Sequence, residues 1–144
     1  MTLYLADTSI WSWAHGDRRP DIAQRLAERL ERQQVATCHA VVIEHQHRAR
    51  TGSDFDWLYD TFFEPADWLP SGDRAWGRAF GVQRSLAASG HGNHRRPALD
   101  YVIAATAELA PDVVLWAFDR DMRVICDHTG QPCELETADR DVIP

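Results

Sequence analysis

The stretch Leu3–Trp13, LYLADTSIWSW, decides how the rest of the chain is read. A short apolar run, Leu3 to Ala6, ends in Asp7, and Thr8, Ser9, Trp11 and Trp13 follow. The pattern is that of a buried strand that carries a carboxylate to its own C-terminal tip and then turns into a helix, with Asp7 in the capping position. Three later acids, Glu44, Asp100 and Asp119, fall where the same geometry brings them to that tip.

The composition excludes several classes of protein. With 144 residues, 44% hydrophobic and 26% charged, the chain is expected to form one soluble domain, 1–144, with an ordinary core. No apolar run approaches the roughly 20 residues that span a bilayer, and the N-terminus lacks the pattern of a signal peptide. The three cysteines, Cys38, Cys126 and Cys133, are odd in number and scattered, which predicts reduced thiols in a cytoplasmic protein. The net charge of −7 disfavours long-range attraction to nucleic acid. All 15 basic residues are arginine. Mechanisms that need a lysine are excluded, and the available cations are forks suited to phosphate or carboxylate. A GC-rich coding sequence accounts for most of that bias.

Outward from the first stretch, Pro20 opens an amphipathic helix of about 14 residues, with Ile22, Leu26 and Leu30 on one face. Val35–Thr37 is a second strand. A helix runs from about Ala40 to Arg50, and another, capped by Ser53, from Asp54 to Phe63. Trp68-Leu69 is a brief strand. Ser71 caps a helix from Asp73 to Ser89 with Trp76, Phe80 and Leu86 among its apolar positions. After the basic loop Gly90–Arg96, Pro97 opens the helix ALDYVIAATAELA, apolar on nearly all sides and therefore buried. Val113–Ala117 is a fully apolar strand, Asp119–Met122 a turn or short helix, and Val124–Ile125 and Cys133–Leu135 are weaker strands. Strands alternating with helices imply an α/β fold with a parallel sheet, whose ligands bind at the C-terminal edge.

Asp7, Glu44, Asp100 and Asp119 all map to that edge. Singly, each has an ordinary explanation. Asp7 and Asp119 suit helix caps, Asp100 complements a helix dipole, and Glu44 pairs with Arg48 one turn on. Together they do not, because two carboxylates 4 Å apart repel by about 4 kcal/mol at an effective dielectric of 20. Asp100 also lies among Leu99, Tyr101, Val102 and Ile103, a costly place for an unpaired charge. An all-oxygen cluster of this kind suits a hard divalent cation, Mg²⁺ or Mn²⁺, rather than Zn²⁺.

The segments LADTSIW (Leu5–Trp11), VVIEHQHR (Val41–Arg48), ALDYVIAATA (Ala98–Ala107) and LWAFDRDM (Leu115–Met122) carry a resemblance. The chain resembles PIN-domain ribonucleases of the VapC type, the toxins of bacterial toxin–antitoxin pairs. The resemblance covers nearly the whole chain. It implies a three-layer sandwich with a central, mainly parallel sheet of about 4–5 strands flanked by helices. It also implies a metal site at Asp7, Glu44, Asp100 and Asp119, with Asp121 as a fifth member, and Mg²⁺-dependent hydrolysis of RNA phosphodiester bonds. Ser9 is a candidate for contacting phosphate or a metal-bound water, and Arg95 and Arg96 are the first candidates for holding the flanking backbone, with Arg120 and Arg48 behind them. The implied partners are RNA, an antitoxin covering the acidic groove, and a second copy of the chain, with no membrane. The sequence departs from the family at Ala117, where a threonine is frequent, at His45-Gln46-His47 after Glu44, and at Met122, where an aromatic is usual.

Other chemistries fit less well. Cys38, His39, His45 and His47 form a zinc-type ligand set, but His45 and His47 are two apart on a helix and face different ways. A phosphoacceptor receiver domain needs a lysine. A dehalogenase-like phosphatase needs a second Asp after the first strand, where Asp7-Thr8-Ser9 has none. A PIN-like module that binds RNA or protein without cutting is the non-enzymatic alternative.

Overall fold

The computed structural model describes residues 1–16 and 18–138. Five strands, β1 (Leu3–Ala6), β2 (Val35–Thr37), β3 (Asp67–Trp68), β4 (Val113–Ala117) and β5 (Cys133–Leu135), form one sheet in the order β3-β2-β1-β4-β5. Every pairing is parallel. Seven helices connect them: α1 (Thr8–Ala14), α2 (Pro20–Glu31), α3 (His39–Gln46), α4 (Gly52–Phe62), α5 (Asp73–Ala88), α6 (Ala98–Leu109) and α7 (Arg120–Thr129). The chain builds outward from β1 to β3, then returns to the other side of β1 for β4 and β5. Crossovers that run in opposite directions from β1 place helices on both faces of the sheet when each takes the usual right-handed path, as expected for the three-layer α/β fold. The reversal of order lies between β1 and β4, where such sheets open a crevice at their carboxyl ends.

Alternation along the strands sorts the core. Tyr4 and Trp116 share one face, where the Arg29 guanidinium of α2 stacks 3.7 Å from the Tyr4 ring and 4.3 Å from that of Trp116 while pairing with Glu134. Leu5 and Leu115, paired in register and fully buried, point to the other face. Helix α6 is buried continuously from Asp100 to Ala107, the expected consequence of its all-round apolar sequence.

Several local expectations are corrected. Thr51, not Ser53, caps α4, since its hydroxyl accepts from the Asp54 N–H at 3.0 Å. Gly72 occupies the cap position of α5, while the Ser71 hydroxyl bonds that of Thr106 at 2.6 Å. Trp76 and Phe80 on α5 are more than half exposed, so only Leu86 of the three faces the core. Val124–Ile125 is not a strand but part of α7, because Met122, Ile125 and Cys126 recur at helical spacing and are buried together. Cys126 and Cys133 are paired as a disulfide with Cα atoms 6.7 Å apart, where free thiols were expected, and only Cys38 is free. The left-handed turn at Gly130 brings the start of β5 back beside the last turns of α7.

Gly130 has φ 70° and donates its N–H to the Cys126 carbonyl at 2.8 Å. A Cβ there meets nothing within 4 Å. Gly130→Ala is therefore expected to destabilise the fold by about 1 kcal/mol, through left-handed backbone cost alone. A urea midpoint lowered at unchanged slope checks this.

Candidate metal centre

Of the five predicted acids, Asp100, Asp119 and Asp121 come within ligand distance of one another, while Asp7 and Glu44 are not part of that close group. Asp7 follows β1 directly, and its N–H extends the ladder by donating to the Trp116 carbonyl at 2.9 Å. The Asp7 carboxylate caps α1, with Oδ1 accepting from the N–H groups of Ser9 at 3.0 Å and Ile10 at 3.4 Å and from the Ser9 hydroxyl. Asp119 caps α7 in the same way, with Oδ2 accepting from the Met122 N–H at 3.3 Å. Capping is thus a true description of both residues, but it occupies only one oxygen of each. No protein donor among the described residues reaches the other.

Asp100 lies in the first turn of α6, only 5% exposed, and its Oδ2 is buried with no hydrogen-bond partner. One carboxylate oxygen from each of Asp100, Asp119 and Asp121 lies within 4.8 Å of the others. Glu44, half-buried on α3, raises the Asp100 pKa by its charge, as do Asp7, Asp119 and Asp121, all after the larger effect of burial. Burial is also the main reason that Asp7 is pushed up to about 7, with Asp119 adding to it and the Ser9 hydrogen bonds opposing it. No ion pair joins Glu44 to Arg48 among the described residues.

These carboxylates fit a hard divalent cation. An orphaned buried carboxylate oxygen is costly by itself, and a bound cation removes both the missing partner and the mutual repulsion. The donor set is all oxygen, as Mg²⁺ and Mn²⁺ require. The competing zinc set is not assembled. Among the described residues Asp100, Asp119 and Asp121 are the only group of three close enough to share an ion. His39 is exposed and packs on Trp68, and His47 is exposed. His45 is buried against Phe62 and Phe63, with its Nδ1 3.2 Å from Gln46 Oε1. Gln46 in turn donates to the Phe55 carbonyl at 2.7 Å. The unusual His45-Gln46 pair therefore ties α3 to α4 and sets the helix that presents Glu44.

The candidate substrate contacts are placed differently from one another. The Ser9 Oγ accepts from the Phe118 N–H at 2.8 Å while donating to Asp7, so it couples the end of β1 to the end of β4. Nothing local in sequence signals that bond. Arg96 donates to Asp121 Oδ1 at 2.8 Å and to the Asn93 carbonyl at 3.1 Å. Together with the Tyr101 hydroxyl on the His94 carbonyl at 2.6 Å, it fastens the basic loop beside the site. Arg95 and Arg120 are exposed.

The chain has relatives in both sequence and fold. Residues 4–127 match the PIN domain family. The chain is 35% identical to "Ribonuclease VapC18" of Mycobacterium tuberculosis, over 92% of this chain and 93% of that protein. It is 31% identical to "Ribonuclease VapC21" of the same organism, over 95% and 96% respectively. Its fold is similar to a chain in the crystal structure of VapBC2 from Rickettsia felis bound to a promoter DNA fragment, with a TM-score of 0.73, 16% identity, and 94% and 100% of the two chains covered.

Proposed function

The chain belongs to the PIN-domain family, as a VapC-type member, and from that premise we propose that it is a divalent-metal-dependent endoribonuclease, the toxin of a toxin–antitoxin pair. The observation that carries this reading is the cluster of Asp100, Asp119 and Asp121 around a buried Asp100 oxygen that has no protein partner, with Asp7 and Glu44 near enough for their charges to act on Asp100. Residues 1–144 are taken as one such domain.

Asp7, Glu44, Asp100 and Asp119 would hold Mg²⁺, or Mn²⁺ in its place, with Asp121 as a further carboxylate at the rim. When bound, the ion supplies an activated water and charge neutralisation at the phosphate. The protein groups do the positioning. The backbone and hydroxyl of Ser9 fix one oxygen of Asp7, and the Met122 N–H fixes one of Asp119, which leaves the other oxygen of each available to an ion. Arg96 holds Asp121 and offers a guanidinium beside the site. Arg95 and Arg120 are free to meet phosphates on either side of the cleaved bond. Single-stranded or looped RNA is the expected substrate, because its bases are accessible. A ribonuclease of this kind meets that RNA in the cytoplasm. No helix among the described residues is long and apolar enough to cross a membrane.

Similar folds in VapBC complexes support an antitoxin partner. Trp57, Trp76 and Phe80, more than half exposed, support surfaces that a partner or a second copy covers. Purified protein is expected to cut RNA with Mg²⁺ or Mn²⁺ and not with EDTA. Cutting that persists in EDTA overturns the metal assignment. RNA binding without cutting under either metal favours a non-catalytic module.

A further inference from the structure

Beside the carboxylates, on the far side of Asp119, lies a pocket of about 520 Å³ with a different chemistry. Its walls include Trp13 from α1, Phe118 from the end of β4, and Arg120 and Arg123 from α7. The Trp13 and Phe118 rings pack with centroids 5.0 Å apart. The Arg18 guanidinium lies 3.9 Å over the Trp13 ring, and the buried Arg19 guanidinium backs Phe118 at 5.1 Å. We infer that this pocket is a nucleotide subsite, in which one unpaired base of the RNA next to the cleaved bond stacks on the Trp13–Phe118 surface while Arg120 and Arg123 hold its phosphates. The inference rests on the ribonuclease reading and extends it to substrate recognition.

Three observations carry it. The first is the placement of two cations on one wall of the pocket. Arg120 and Arg123 are exposed, three apart on one face of α7, and have no acidic partner among the described residues. The pocket is also lined by Asp119 and by Glu136, but Glu136 is already engaged by Arg25 and the Trp116 N–H, so the two arginines are the cations on this wall that remain open to a phosphate. The second is the aromatic surface. Trp13 and Phe118 are only half-buried; the exposed Arg18 covers one face of Trp13 and Arg19 backs Phe118, so a base stacks on the ring surface they leave open or takes the place of the Arg18 guanidinium. Aromatic platforms beside basic side chains are how single-stranded nucleic acid is held without base pairing. The third is continuity. Asp119 lines both the pocket and the carboxylate cluster, and Phe118 is tied to Ser9 at the Asp7 carboxylate. A base in the pocket would therefore set the register of the phosphate at the acids. The volume is within the roughly 300–1,000 Å³ of small-molecule sites.

The test starts from an RNA oligonucleotide that the wild-type protein cuts at one bond. The bases flanking that bond are replaced one at a time by abasic nucleotides. One position is expected to raise KM by about 10- to 100-fold, the range for a lost base–aromatic stack. Trp13→Ala is expected to raise KM for the intact RNA similarly, with kcat little changed, and to add no further penalty with the RNA that is abasic at that position. Trp13→Phe should recover most of the loss. Because truncating Trp13 can also perturb folding, exposed Arg123→Ala provides a second arm. It should raise KM about 10-fold and flatten the salt dependence of binding by one phosphate contact. Penalties that multiply between protein and RNA changes, or no sensitive position, overturn the subsite while cleavage itself upholds the ribonuclease reading. Variants that cut RNA normally but lose affinity for an antitoxin peptide overturn it in favour of protein binding. A wild-type chain that cuts no RNA removes the ribonuclease reading and the subsite with it.

Discussion

Asp100→Asn is expected to abolish RNA cleavage and, without metal, to stabilise the protein at neutral and alkaline pH. Asp100 is buried, one of its carboxylate oxygens has no partner, and four other acids act on it. Asparagine keeps the shape and removes the charge. Since loss of a group that only supports a metal ligand costs about 10- to 100-fold, loss of the central carboxylate should lower the rate by at least about 100-fold. The stability effect has the opposite sign. Burial and neighbouring charge raise Asp100, and burial raises Asp7 to about 7, both well above the ordinary 3.8. Over the interval between, the folded protein holds protons that the unfolded chain has released, so stability falls as pH rises from about 4 through 7 and above. The metal-free wild type should therefore have a lower Tm at pH 8 than at pH 5 for this reason. The Asn variant should lack the Asp100 part of that decline, so the gap between the two should widen with pH. Mg²⁺ should raise the Tm of the wild type by linkage and that of the variant much less. Equal metal-induced shifts in both proteins would remove Asp100 from the site.

What could be read from the sequence depended on whether the determinant was local. Asp7 was legible because a four-residue apolar run, an acid and a capping pattern lie within ten residues. The buried helix α6 was legible because its apolar character is all-round. The reversal of strand order that sets Asp119 beside Asp7 is a property of the whole chain, and only its consequence, acids at one sheet edge, could be anticipated. The misreadings arose where near-equivalent local choices compete. Thr51 and Ser53 are both good caps, and the fold uses the first. Val124–Ile125 is a β-type pair inside a helix whose burial is set by Met122, Ile125 and Cys126. Scattered cysteines suggested free thiols, yet the turn at Gly130 opposes two of them. Arg96 stood out as a cation near the site, but its ion pair with Asp121 depends on α6 and α7 being neighbours, which no spacing reveals. The aromatic and arginine pocket was invisible for the same reason, since α1, the end of β4 and α7 meet only in three dimensions.

Ser9→Ala should lower cleavage by about 10- to 100-fold, the range for removing a group that orients a metal ligand. The hydroxyl makes two bonds that no other side chain replaces: it donates to the Asp7 carboxylate and accepts from the Phe118 N–H at 2.8 Å. The first opposes the effect of burial on Asp7, since a hydrogen bond to the ionised form favours ionisation. The second joins the strand ends that present Asp7 and Asp119. Without the hydroxyl, Asp7 should ionise only at still higher pH, so the rise of cleavage rate with pH should move in the alkaline direction. The Phe118 N–H, left without its acceptor, should cost about 1–3 kcal/mol of stability. A purely structural role would lower stability and leave the pH profile in place, so the profile separates the two. Ser9→Thr keeps the hydroxyl and should recover both rate and profile. An alanine variant with an unshifted profile would show that Ser9 serves only to close α1, and that the ionisation of Asp7 is controlled by burial and Asp119 alone.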